Sequence, residues 1–80
     1  MKLQKAVAMR ISKLLVKNKM SAYTLSVRSG LTKQAISNIL NEKYESIKFD
    51  TIYKLADGFG MTINEFIDNE LLKRENIDIF

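Results

Sequence analysis

Two short apolar-periodic segments meet at a single glycine within residues 20–40, MSAYTLSVRSGLTKQAISNIL, and this limits the possible folds more than any other feature. Each segment opens on a hydroxyl residue suited to capping a helix, Ser21 for the first and Thr32 for the second. The first puts Leu25 on an inner face with small Ser26 beside it. The second puts Ile36, Ile39 and Leu40 inward and leaves Lys33, Gln34, Ser37 and Asn38 on the opposite face. Gly30 stands where the chain must turn, and only glycine takes positive φ without a Cβ penalty. The spacing therefore predicts helices over 22–29 and 33–40 joined by a tight turn, with a polar outer face on the second. That is the geometry of a helix-turn-helix.

The flanking sequence supplies three more helices. Val7, Ile11, Leu14 and Leu15 recur at helical spacing, with Lys5, Arg10, Lys13 and Lys17 off that face, which predicts a helix over 2–17 ended by Asn18-Lys19. A loop over 41–47 follows. A fourth helix is predicted over 49–59 with Phe49, Ile52, Leu55, Ala56 and Phe59 inward, stopped by Gly58 or Gly60. Thr62 and Glu65 fit a capping box for a fifth helix that buries Ile63, Phe66 and Ile67. Leu71 and Leu72 are candidates to extend it. Leu71, Leu72, Ile77, Ile79 and Phe80 either fold back as core or form a dimer seam. Nothing reads as a β-hairpin, so the fold expected is all-α, a compact five-helix bundle. The division expected is a folded domain over 1–67 and a C-terminal extension over 68–80.

Composition narrows the chemistry. Eighty residues at 46% hydrophobic suit one small domain with a modest core. With no cysteine and no histidine, the chain lacks the commonest nucleophile, general base and transition-metal ligands, so no catalytic residue, metal or cofactor is expected. No apolar run approaches the ~20 residues of a membrane span, and there is no apolar leader, so a cytoplasmic protein is expected. The net charge of +4 is unevenly placed. Residues 1–44 hold nine Lys/Arg and only Glu42 as an acid, a net +8, whereas residues 45–80 carry −4. Basic charge thus surrounds the two-helix motif, where counterion release from a polyanion would supply affinity.

From Arg10 to Ile67 the chain resembles the Cro/C1-type (XRE-like) helix-turn-helix family of phage and bacterial transcriptional regulators. The residues that carry the resemblance are Ile11, Met20-Ser21, Leu25-Ser26, Gly30-Leu31-Thr32, Ile36-Ser37, Thr51-Ile52, Leu55-Ala56 and the closing run from Phe59 to Phe66. The resemblance implies a lambda-repressor-like fold whose third helix enters the major groove of double-stranded DNA. It implies Lys33, Gln34 and Asn38 as base readers with Ser37 close by. Their chemistry agrees, since Gln and Asn make two-point bonds to adenine and Lys donates to guanine. It implies contacts to the DNA backbone from Ser21, the Ala22 amide, Thr32, Asn41, Lys43 and Tyr44. Two positions depart from the pattern. Ala22 stands where many members have Gln, and Leu40 where many have a Glu paired with a basic residue at Arg10. Arg10 must then find another partner, face solvent or point at DNA.

The function expected is a sequence-specific DNA-binding regulator, a repressor, acting as a homodimer on paired half-sites without a small-molecule effector. The alternative is a protein-interaction module, such as an antitoxin, that binds a partner protein with DNA binding secondary.

Overall fold

The computed structural model describes residues 1–78. Five helices follow in order, α1 Leu3–Lys17, α2 Ala22–Ser29, α3 Lys33–Leu40, α4 Phe49–Gly58 and α5 Ile63–Ile67. Short 3-10 turns at Glu70–Leu72 and Arg74–Asn76 come after them. Among the described residues the sole strand-like pairing is an isolated bridge between Lys2 and Asp78. The fold is all-α, as the periodicity predicts.

Helices of eight residues are marginal alone, so packing must hold them. The core draws Val7, Ile11 and Leu14 from α1, Leu25 from α2, Ile36 and Ile39 from α3, Leu55 and Ala56 from α4 with Phe59 just after it, and Phe66 from α5. Its largest fully buried side chains are Phe66, Ile11, Leu25, Ile36 and Leu55. Each contributes about 1.5–3 kcal/mol by leaving water. In the packing, α2 lies against α3 and α4, α1 against α3, and α5 against α4.

Three helix ends share one closure. After α1, Lys19 donates to Val16 and Met20 to Leu15; after α3, Glu42 donates to Ile39 and Lys43 to Asn38; after α4, Gly60 donates to Asp57 and Met61 to Ala56. This is the Schellman pattern, which needs one left-handed residue. Gly60 supplies it at φ 71°, but Lys19 (φ 51°) and Glu42 (φ 56°) adopt it despite their side chains. Of the two candidate stops for α4, Gly60 is therefore the one that ends it. Gly58 has a different task, since a Cβ there would lie 2.8 Å from Leu25 Cδ1 and 3.0 Å from Ser29 Cβ. Its missing side chain lets α4 approach α2.

At α5 the capping box forms in full. Thr62 N–H donates to Glu65 Oε1 at 2.9 Å, and Glu65 N–H donates to Thr62 Oγ1 at 3.1 Å. The bond from the Thr62 backbone, then that with its side chain, holds the Glu65 carboxyl below its ordinary range.

Three expectations are corrected. Phe49 is 73% exposed, because the buried residues of α4 all lie in its second half. Ile67 is 48% exposed: it follows fully buried Phe66 by about 100° around the helix, and so short a helix cannot bury both directions. Leu71 and Leu72 do not extend α5. Asn69 accepts from Leu71 N–H and starts a separate 3-10 turn that packs on α1, with Leu72 against the core. Of the alternatives open to Arg10, it finds another partner. Its Nε donates to Phe66 O at 2.9 Å and its Nη2 to Glu65 O at 3.1 Å, with the guanidinium 5.7 Å from the Phe66 ring centre. It satisfies carbonyls at the end of α5, so α1 and α5 are joined without an acid, while Leu40 packs against the core. Of the apolar end, Ile77 is half-buried, and Ile79 and Phe80 lie outside the described residues.

Candidate nucleic-acid interface

The turn between α2 and α3 is clasped by two serines. Gly30 takes φ 77° and ends α2. Ser26 Oγ donates to Leu31 O at 2.7 Å, and Leu31 N–H donates to Ser29 Oγ at 3.2 Å. Both backbone groups of Leu31 are thus satisfied by hydroxyls one helical turn apart on α2. Ser29 is the buried polar residue of the core region and lies against Gly58. The angle between the two helices therefore rests on α4 as well as on the turn. The sequence marks Ser26 only as small; its signal as a clasp is a pair of serines at i and i+3 just before a glycine.

Thr32 opens α3 by accepting from Ala35 N–H at 3.0 Å, and its own O–H stays available as a donor. Ile36 and Ile39 turn inward. Lys33, Gln34 and Ser37 are exposed and Asn38 is half-buried, all on the outer side. The first turn of α3 carries no acid. Lys33 there opposes the helix dipole, which costs about 0.3–1 kcal/mol at an exposed terminus. A local rule broken on one face marks that face for something other than stability.

The polar side chains form an ordered array. Gln34 Nε2 donates to Asn38 Oδ1 at 2.9 Å, and Asn38 Nδ2 donates to the Tyr44 hydroxyl at 3.3 Å. Asn41 turns its amide N–H back to Ser37, at 2.9 Å from the carbonyl and 3.3 Å from Oγ. Gln34 keeps its carbonyl oxygen and its second N–H, the acceptor and donor a two-point bond to adenine requires. Lys33 keeps all three ammonium protons.

The residues expected at the DNA backbone come from the start of α2, the start of α3 and the loop that follows α3. Ser21 caps α2 by accepting from Thr24 N–H, and half-buried Ala22 begins that helix with its amide unpaired within it. Lys43, whose N–H completes the closure of α3, and Tyr44 are exposed in the loop. Lys5 and Lys13 of α1 border a shallow hollow with Leu40 and Glu42, next to the C-terminal end of α3. Cations from α1, α3 and the loop thus gather around one helix. Among the described residues no helix is long and apolar enough to cross a membrane.

Residues 10–71 match the family of the Cro/C1-type HTH DNA-binding domain, and the chain belongs to that family. No curated protein and no solved structure gives a significant match to it.

Proposed function

We propose that this Cro/C1-type chain is a sequence-specific regulator of transcription that acts as a repressor by laying α3 in the major groove of double-stranded DNA. The observation that carries the reading is the outer face of α3. Lys33 and Gln34 stand exposed on its first turn with their hydrogen-bonding groups largely uncommitted, while Ile36 and Ile39 lock the helix from behind. Lys33, Gln34, Ser37 and Asn38 read base edges. Ser21, the Ala22 amide, Thr32, Asn41, Lys43 and Tyr44 hold phosphates and fix the register. Asn41 must release Ser37 to do so.

The working unit is a homodimer in the cytoplasm, reading half-sites about 34 Å apart. Its contact surface is the apolar hollow of Leu3, Phe49, Ile52, Ile67 and Leu72, of which Leu3, Phe49 and Ile67 are exposed among the described residues. The same exposure supports the second reading, a partner protein seated there with DNA binding secondary. Selection of bound fragments from random duplexes, with a mass measurement of the free protein, separates the two. The regulator enriches one paired site and has twice the mass of the chain. The alternative enriches none and co-purifies with a partner whether or not α3 is altered.

A further inference from the structure

The loop after α3 delivers Tyr44 to the base-reading face by a defined route. Glu42 takes the left-handed conformation, and Lys43 N–H then closes on Asn38 O at 2.9 Å. The next residue, Tyr44, receives the Asn38 side-chain amide on its hydroxyl. Its ring is 39% exposed and borders a cleft with Leu31, Ala35, Ile39 and Ile47. With the amides oriented as they are, every bond in the series runs one way. Gln34 donates to Asn38, Asn38 donates to Tyr44, and the Tyr44 O–H is left to donate outward.

A chain of bonds with uniform polarity strengthens along its length. We infer that Tyr44 and Asn38 are positioning residues that hold the Gln34 amide for adenine, coupling a phosphate at the Tyr44 hydroxyl to the base read by Gln34. This rests on the proposal that Gln34 reads a base. It assigns Tyr44 a part in specificity that a simple phosphate contact lacks, and it makes Asn38 chiefly a buttress, since its Oδ1 and one of its N–H groups are already engaged within the array. Binding by a bare glutamine would first have to order the amide from several rotamers, at a conformational cost that the array removes in advance.

The test uses the full chain and a duplex taken from its own selection. Affinities of wild type, Tyr44→Phe, Asn38→Ala, Gln34→Ala and the Tyr44→Phe/Gln34→Ala double variant are measured against all four base pairs at the position Gln34→Ala relaxes. Tyr44→Phe keeps the ring and its packing, and an unchanged urea midpoint confirms the fold. Tyr44→Phe and Asn38→Ala should each reduce discrimination at that position by about 3- to 10-fold, the worth of one hydrogen bond. Discrimination at the Lys33 position should stay unchanged, and the double variant should discriminate no worse than Gln34→Ala alone. Equal loss of affinity on every duplex, or losses that add in the double variant, would overturn the coupling while leaving base reading intact. If Gln34→Ala relaxes no position, base reading by Gln34 falls and the coupling with it.

Discussion

Replacing Gly58 by Ala sets two effects of opposite sign against each other. Gly58 is the last residue of α4 and has negative φ, so alanine suits its backbone. Helix propensity alone would make Gly58→Ala stabilising by about 0.8–1 kcal/mol. The new Cβ, however, would stand 2.8 Å from Leu25 Cδ1, 3.0 Å from Ser29 Cβ and 3.3 Å from Ser29 Cα. Leu25 is fully buried and cannot swing aside, and the Ser29 atoms belong to the α2 backbone and its first side-chain carbon. Relief requires α2 to move away, and overpacking of this kind costs about 1–3 kcal/mol. With Leu25 fully buried the clash wins, for a net loss of up to about 2 kcal/mol. Urea unfolding followed by circular dichroism should show a lower midpoint at unchanged slope, with a fall in Tm of about 4–8 °C per kcal/mol. Because Ser29 also holds the turn through Leu31, specific DNA affinity should fall as well. A Gly58→Ala variant as stable as the parent, or more stable, would refute the close-approach argument.

Three further outcomes follow from the same structure. Arg10→Met keeps a long side chain but gives up both bonds to the α5 carbonyls, so it should destabilise by about 1.5–3 kcal/mol in urea unfolding. Lys19→Gly and Glu42→Gly relieve a left-handed penalty of about 1–2 kcal/mol and lose about 0.5–1 kcal/mol to glycine's unfolded freedom. Each should raise stability slightly in thermal unfolding, where Ala at either position should not. The Glu65 carboxyl is held below its ordinary range in the folded chain, so its contribution is complete above the unfolded carboxylate pKa and is lost as pH falls through the folded value. Stability should therefore drop less between pH 5 and pH 3 in Glu65→Gln than in the parent, measured by urea midpoint at each pH.

Local signals were legible where they are self-contained. Caps at Ser21, Thr32 and Thr62 each act within three residues of themselves, and the structure forms all three. Inward faces were legible where a helix has neighbours along its length, as for Ile36 and Ile39. Phe49 and Ile67 carry the right period at helix ends that the core does not reach, so periodicity assigns them inward and packing leaves them out. Arg10 and Gly58 depend on partners 55 and more residues away or on another helix altogether, Glu65 and Phe66 for one, Leu25 and Ser29 for the other. No local pattern marks such contacts. The outer face of α3 was legible as a set of residues, but the bonds from Gln34 through Asn38 to Tyr44 depend on the left-handed turn at Glu42, which nothing in the sequence signals.

The central claim is that the outer face of α3 reads bases, and paired binding titrations test it most directly. Gln34→Ala and Lys33→Ala are each titrated onto the selected duplex and onto a random duplex at several salt concentrations. Each should lose about 1–3 kcal/mol on the selected duplex and relax preference at one base pair. On random DNA, Gln34→Ala should lose almost nothing, and binding of all forms should weaken steeply with salt. Equal losses on the two duplexes would contradict base reading by α3.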